Sequence, residues 1–155
     1  SDEVRLIVKQ AKLLGINSYF LGGDGWEADR MIDYAEFYNE KCYYSNHWTM
    51  EIDSPRNNAF IIACRNKYGN SYIPTAETAL AYDAAYLLYY AVEKCKSFEP
   101  NSIAKALSDV KNFKGITGTI SMNDTGNPID KEVIINRVLS DKIVVVKTIT
   151  LDTKQ

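Results

Sequence analysis

The stretch from Tyr19 to Trp26 constrains the fold of this chain more than any other. Tyr19-Phe20-Leu21 is short, apolar and aromatic, which predicts a buried strand, and the glycine-rich segment Gly22-Gly23-Asp24-Gly25-Trp26 follows it as a loop. A helix with acidic residues in its first turn is predicted from Glu27 to about Asn39, and Cys42-Tyr43-Tyr44-Ser45 is predicted as the next strand. Two strands separated by a helix are expected to be parallel neighbours, which indicates an α/β fold.

Asp24 is the first candidate functional residue because it follows the carboxyl end of a predicted strand. Ligands of open α/β sheets bind at that edge, and a carboxylate there is suited to hold a cation such as an ammonium group. The alternative is a solvated turn, since Gly-Asp-Gly is common turn chemistry. The spacing alone leaves both interpretations open.

His47 is the second candidate, and it is the only histidine of the chain. It follows the predicted strand at Cys42-Ser45, so it is expected on the same side of the sheet as the Asp24 loop. It would there contact a ligand or titrate near neutral pH. The alternative is a loop histidine that is simply hydrogen-bonded.

Helices dominate the middle of the chain. Ser54 and Pro55 are a favourable cap and first residue for a helix that continues to Tyr68, and Gly69 stops it. The longest helix is predicted from Ala76 to about Lys96, and its centre is apolar nearly all round, which predicts burial on more than one side.

Two acidic residues on this longest helix receive different interpretations. Asp83 is the lone acid of the apolar centre, and a buried, unpaired carboxylate costs several kcal/mol, so a structural hydrogen-bonding role is expected. Glu77 lies in the first turn and is the better candidate for a ligand cleft, because helix starts often face ligands.

The last third of the chain is expected to be rich in strands. Here Pro100 opens a short helix, and Gly115 to Met122 alternates as a strand. The chain itself begins with an amphipathic helix from Val4 to Leu14, and no strand precedes that helix. The segment Asn123 to Pro128 is dense in turn residues. Two further strands, Val133–Val138 and Ile143–Ile149, are expected to form an antiparallel hairpin around Ser140-Asp141.

Composition excludes several classes of protein. The chain has 155 residues and a net charge of −2, so it lacks the basic field that attracts nucleic acid. Its three cysteines have no metal-site spacing, and no nucleophile elbow or phosphate loop is present. We therefore expect no catalytic residues, metal or cofactor, and an enzyme with Asp24 and His47 as an acid/base pair is the less favoured alternative.

Four segments, in this order, resemble one family. They are Gln10–Ile16, the Gly22–Trp26 loop, Ala81–Ala85 and Phe113–Gly118, and the last continues through Ile120–Asn123 and Gly126–Pro128. This pattern resembles the type I periplasmic-binding fold, with the branched-chain amino-acid substrate-binding proteins of ABC transporters as the nearest branch. The resemblance covers nearly the whole chain. Because the family is roughly twice as long, it implies that this chain is the C-terminal half of such a protein.

The resemblance implies parts of two Rossmann-like lobes that close about a hinge. The expected architecture is three-layer α/β/α with a mostly parallel sheet, and the chain ends in an antiparallel hairpin. Residues 1–50 would be the later part of lobe two, and residues 51–123 the return segment of lobe one. Residues 124–155 would cross back to lobe two and supply the C-terminal strands.

The family pattern also implies roles for individual residues. Asp24 matches the acid that holds the α-ammonium group of the ligand in amino-acid-binding members. Trp26 and Trp48 would wall the cleft, with a core role as the equal alternative. Glu77 falls near a position that touches the ligand side chain, which would favour a polar or cationic ligand. The ligand-binding candidates are therefore Asp24, Trp26, Glu77, Trp48 and His47.

The implied function is an extracytoplasmic solute-binding protein that binds an amino acid for ABC-transporter uptake, with a transporter permease as the partner of the parent protein. The alternative is a ligand-binding sensor domain of the same fold. The parent is expected in a periplasm or on a cell surface, although this chain opens directly in an amphipathic helix and carries no signal-peptide pattern. Self-association of the fragment through open sheet edges is a further hypothesis.

Overall fold

The computed structural model describes residues 2–27, 41–140 and 142–150. These residues belong to two units, Ser1–Ile52 with Val133–Ile149 and Asp53–Glu132 with Thr150–Gln155. The helices and strands, in chain order, are α1 (Asp2–Leu13), β1 (Phe20–Gly22), a 3-10 helix (Asp24–Trp26), β2 (Cys42–Asn46), α2 (Pro55–Tyr68), α3 (Ala76–Cys95), α4 (Pro100–Ser108), β3 (Phe113–Lys114), β4 (Thr119–Met122), β5 (Pro128–Ile129), β6 (Glu132–Val138) and β7 (Ile143–Thr150).

The first unit is built on a four-stranded sheet in the order β1-β2-β6-β7. β1 is parallel to β2, with Phe20 opposite Cys42, as predicted from the sequence. β6 is antiparallel to β2, and the amide of Leu139 donates to the carbonyl of Lys142 (2.8 Å) in the short connection from β6 to β7. The described part of this sheet is therefore mixed. The helix predicted from Glu27 to Asn39 lies largely outside the described residues.

A small apolar core holds helix α1 against this sheet. It consists of residues from α1, β2 and β6, with Trp26 packed at its margin: Val4, Val8, Cys42, Tyr44 and Val138. Gly15 follows the last turn of α1 with a φ of +72°, as expected for the glycine that caps this helix. The amide of Ile16 donates to the carbonyl of Ala11 (2.9 Å). Burial raises the pKa of the Cys42 thiol to about 12, so this cysteine behaves as a small apolar core residue.

The second unit contains three helices and a three-stranded sheet in the order β3-β4-β5. α2 begins at Ser54, whose hydroxyl accepts the amide of Asn57 (3.1 Å), and ends at Gly69, as predicted. Thr75 and Thr78 cap α3 reciprocally through side chain and backbone. Strand β5 was not predicted, because Pro128 lies in a segment dominated by turn residues.

The prediction that α3 is buried on more than one side is wrong for this structure. One stripe of the helix is buried, and it contains Ala76, Ala79, Asp83, Leu87 and Ala91. Large side chains elsewhere on the helix remain exposed, including Tyr86 (52%) and Tyr89 (63%). The apolar sequence of α3 would allow burial on every side, but neighbouring elements cover only one stripe of the helix.

The prediction of one strand from Gly115 to Met122 is correct only for its second half, because the first half is a turn and β3 lies before it. β3 ends at Lys114 and β4 begins at Thr119, and the amide of Gly115 donates to the carbonyl of Gly118 (3.0 Å) between them. Gly118 has a φ of +102°, which favours glycine. The carboxylate of Asp83 accepts hydrogen bonds from the amides of Ile116 and Thr117 in this turn, a contact that the local pattern does not contain.

Candidate functional site

Two parallel strands bring Asp24 and His47 to one edge of the sheet of the first unit. Asp24 begins the 3-10 helix just after β1, and His47 directly follows β2. The carboxyl ends of parallel neighbours meet at the same edge, and the His47 Nε2 atom lies 3.6 Å from Asp24 Oδ2. The prediction that both residues lie on the same side of the sheet is confirmed.

The two oxygens of Asp24 have different surroundings. Oδ1 accepts a hydrogen bond from the amide of Gly25 (2.9 Å), which holds the carboxylate on its own loop. Oδ2 faces His47, and 62% of the Asp24 side chain is exposed. The carboxylate is therefore oriented by the loop and open to solvent, an arrangement that allows it to accept hydrogen bonds from a small cation.

Trp26 fixes the loop from the other end. Its indole ring lies against Gly22 so closely that a Cβ on Gly22 would meet indole carbon Cδ2 at 2.0 Å. The ring is partly buried and packs against the core of the first unit. The amide of Trp26 also donates to the carbonyl of Gly23 (3.1 Å). Trp26 thus anchors the Asp24 loop to the core. The ring is only partly buried, and its contact with a ligand stays a prediction.

Trp48 and Glu77 have contrasting environments. Trp48 is 1% exposed, which favours the core alternative for this residue. Glu77 is exposed in the first turn of α3, next to the Thr75–Thr78 cap, and belongs to the second unit. Its contact with a ligand side chain stays a prediction.

Asp83 has the structural role expected from the sequence. Its carboxylate is 3% exposed and accepts three hydrogen bonds, from the Ile116 amide (2.8 Å), the Thr117 amide (2.8 Å) and the Thr117 hydroxyl (2.7 Å). Both oxygens of the buried carboxylate thus accept hydrogen bonds, as the cost of an unpaired buried carboxylate requires.

Lys131 extends this contact in a way that no sequence signal indicated. Its Nζ atom donates to the Thr117 carbonyl (2.6 Å) and to the Thr117 hydroxyl oxygen (2.8 Å). Burial lowers the pKa of Lys131, while the charges of Asp83 and Glu132 act in the opposite direction. The chain Asp83–Thr117–Lys131 therefore links helix α3 to the segment just before β6.

The second unit also has a cavity of about 310 Å³ beside Asp83. Aromatic rings of Tyr82, Tyr86 and Phe113 line it, together with the cationic side chains of Arg56 and Lys114. Three donors already occupy the Asp83 carboxylate, so the cavity offers a ligand mainly apolar surface and two cations. No pattern in the sequence predicted this cavity.

Metal and membrane sites receive no support within the part of the chain that the structure describes. No cluster of three histidine, cysteine, aspartate or glutamate side chains with a metal-binding arrangement occurs in residues 2–27, 41–140 and 142–150. None of the helices in these ranges is long and apolar enough to cross a membrane.

A family model described as "Periplasmic binding protein" matches residues 1–142 of this chain. The chain belongs to the periplasmic binding protein family. A leucine binding protein from Thermotoga maritima is 32% identical to this chain and superimposes on it with a TM-score of 0.81. The match covers 97% of this chain and 43% of the Thermotoga protein. This match establishes the type I periplasmic-binding fold that the sequence predicted.

Two further relatives point to the same branch. The branched-chain amino acid transporter substrate binding protein LivJ from Streptococcus pneumoniae, solved with isoleucine, is 27% identical with a TM-score of 0.75, over 96% of this chain and 41% of that structure. A Leu/Ile/Val-binding protein homolog of Brucella abortus is 27% identical over 127 residues, which are 81% of this chain and 33% of the relative. This periplasmic binding protein chain thus spans about a third of the length of the curated relatives it matches.

Proposed function

We propose that the chain is part of an extracytoplasmic solute-binding protein that holds the ammonium group of an amino acid at Asp24 for ABC-transporter uptake. The observation that carries the proposal is the loop-held, exposed carboxylate at the carboxyl ends of β1 and β2. A charge-assisted hydrogen bond between an ammonium group and this carboxylate would contribute about 1.5–3 kcal/mol. Binding without chemistry also agrees with a family of solute-binding proteins.

We further propose that the two units are parts of the two lobes of the clamp. The units divide at Ile52/Asp53 and at Glu132/Val133, which supports chain crossings near these positions. On this assignment the first unit supplies the ammonium-binding carboxylate of lobe two, and the second unit is the return segment of lobe one. The remainder of the parent protein would complete both lobes and the pocket.

The relatives favour transport over sensing, since they include a branched-chain amino acid transporter substrate binding protein and a Leu/Ile/Val-binding protein homolog. A sensor domain of the same fold would use the same carboxylate. The gene that encodes the parent separates the two functions, because a sensor would be followed by a membrane span and a signalling domain.

Replacing Asp24 by alanine is expected to weaken amino-acid binding by about 10- to 150-fold, the affinity equivalent of 1.5–3 kcal/mol. The measurement is isothermal titration calorimetry with leucine, isoleucine, valine, glutamine and arginine. Glutamine and arginine are included because Glu77 would favour a polar or cationic side chain. Asp124→Ala is the matched control, since it removes an exposed aspartate from a turn in the other unit.

An amino acid that binds equally well to the wild-type chain and to Asp24→Ala would contradict the assignment of this site. If the chain is silent across the panel, the same titrations are performed on the longer parent protein, where the pocket would be complete. Loss of binding in both Asp24→Ala and Asp124→Ala would indicate unfolding, which circular dichroism of the variants checks directly.

We also propose that the chain pairs with a second copy of itself. Large apolar side chains are exposed in both units, among them Leu13 and Leu14 of the first and Tyr86 and Tyr89 of the second. Surfaces of this kind favour association. Light scattering over a concentration series is expected to show a mass above that of one chain, and a stable monomer at the highest concentration would contradict the proposal.

A further inference from the structure

The candidate ligand carboxylate has a histidine beside it within the same unit. His47 Nε2 lies 3.6 Å from Asp24 Oδ2, the oxygen that the loop amide of Gly25 does not occupy. This is the oxygen that an incoming ammonium group would approach. When the imidazole is protonated, it therefore neutralises the acceptor that the ligand requires.

Neighbouring structure holds His47 in this position. The amide of His47 donates to the side-chain oxygen of Asn46 (2.8 Å), and Asn46 is a buried residue at the end of β2, opposite Ile134 of β6. The backbone of His47 is thus fixed by the sheet. Its side chain is 40% exposed and therefore in contact with solvent.

Resting on the proposed function, we propose that His47 is a built-in competitor for the ligand ammonium group at Asp24, so that amino-acid binding weakens as the pH falls. At low pH the imidazolium pairs with the carboxylate, and the ligand must displace it. At higher pH the imidazole is neutral, and the carboxylate is available to the ammonium group. The sign follows directly: affinity rises as His47 loses its proton.

Other charged or titratable groups at this edge do not produce the same effect. Burial raises the pKa of Cys42 to about 12 and raises that of Tyr44, so both remain neutral between pH 5 and pH 8. Histidine is the side-chain type whose charge changes in that range. Besides Asp24, the charged and titratable side chains of the 3-10 helix, β2 and β6 are Cys42, Tyr43, Tyr44, Glu132 and Arg137, with Glu27, Lys41 and Glu51 in the flanking segments, and none of these is a histidine.

The first test compares leucine binding at pH 5.5 and pH 7.5 by calorimetry, in the wild-type protein and in His47→Gln. Histidine is the side-chain type whose charge changes between these two pH values, so wild-type affinity is expected to fall by up to about tenfold at the lower pH. In His47→Gln the ratio of the two affinities is expected to lie within about twofold of one. A wild-type pH ratio that survives in His47→Gln overturns the inference.

A second test needs no ligand and separates this inference from the proposed function. The side-chain carboxyl ¹³C resonance of Asp24 is followed by NMR from pH 5.5 to pH 7.5. It is expected to move in the wild-type protein and to stay in place in His47→Gln, and a resonance that moves equally in both overturns the pairing. If the pairing is observed but leucine and the other amino acids bind at neither pH, the proposed function fails and the competition fails with it.

Discussion

Asp83→Ala is expected to lower the free energy of unfolding of the second unit by about 3–5 kcal/mol. The substitution removes a carboxylate that accepts three hydrogen bonds of 2.7–2.8 Å. It leaves the amides of Ile116 and Thr117 without that acceptor, and both residues are buried. Each buried donor that loses its partner costs about 1–3 kcal/mol. Urea denaturation followed by circular dichroism measures the loss.

Two further variants make the Asp83 result specific. Asp83→Asn keeps one side-chain oxygen as an acceptor and is expected to give an intermediate loss. Glu93→Ala removes an exposed acid from the same helix, where it pairs with Lys96 on the surface, and is expected to leave the denaturation midpoint nearly unchanged. A loss in Asp83→Ala no larger than that in Glu93→Ala would show that the hydrogen bonds to the turn contribute little.

Gly115→Ala is expected to destabilise the second unit by about 2–3 kcal/mol. A Cβ at this position would lie 2.3 Å from Asp83 Oδ2 and 2.6 Å from its Cγ. The carboxylate cannot easily retreat, because three hydrogen bonds hold it in a buried position. The same urea titrations measure the effect, with Gly23→Ala as the control, since a Cβ on Gly23 meets no atom within 4 Å and its φ is −92°.

A double-mutant cycle identifies the cause of this strain. In the Asp83→Ala background the obstructing carboxylate is gone, so the additional cost of Gly115→Ala is expected to fall below about 1 kcal/mol. Equal costs in the two backgrounds would mean that Gly115 is required for its backbone conformation and not for the space it leaves to Asp83.

Local patterns predicted most elements of this protein correctly. Ser54-Pro55 and Gly69 bound helix α2 at the expected residues, and the parallel pairing of β1 with β2 followed from the helix predicted between them. These features depend on caps, glycine conformations and chain connectivity, which operate over a few residues. The Asp24–His47 edge was predictable for the same reason, because each residue directly follows a predicted strand.

Long-range contacts account for the expectations that differed from the structure. The segment from Gly115 to Met122 alternates like one strand, yet its first half is a turn whose amides of Ile116 and Thr117 donate to Asp83, more than thirty residues earlier. Trp48 was an equal candidate for cleft and core, and its burial favours the core. Neither result can be derived from residue types near the position concerned.

The sequence by itself determined the main helices, the parallel pairing of β1 with β2 and the edge at which Asp24 and His47 meet, since capping, periodicity and connectivity are local properties. Only the tertiary structure decided which face of α3 is buried, which oxygen of Asp24 faces His47, and how Asp83, Thr117 and Lys131 join. These arrangements depend on distances between residues far apart in the chain, and residue type and spacing do not specify such distances.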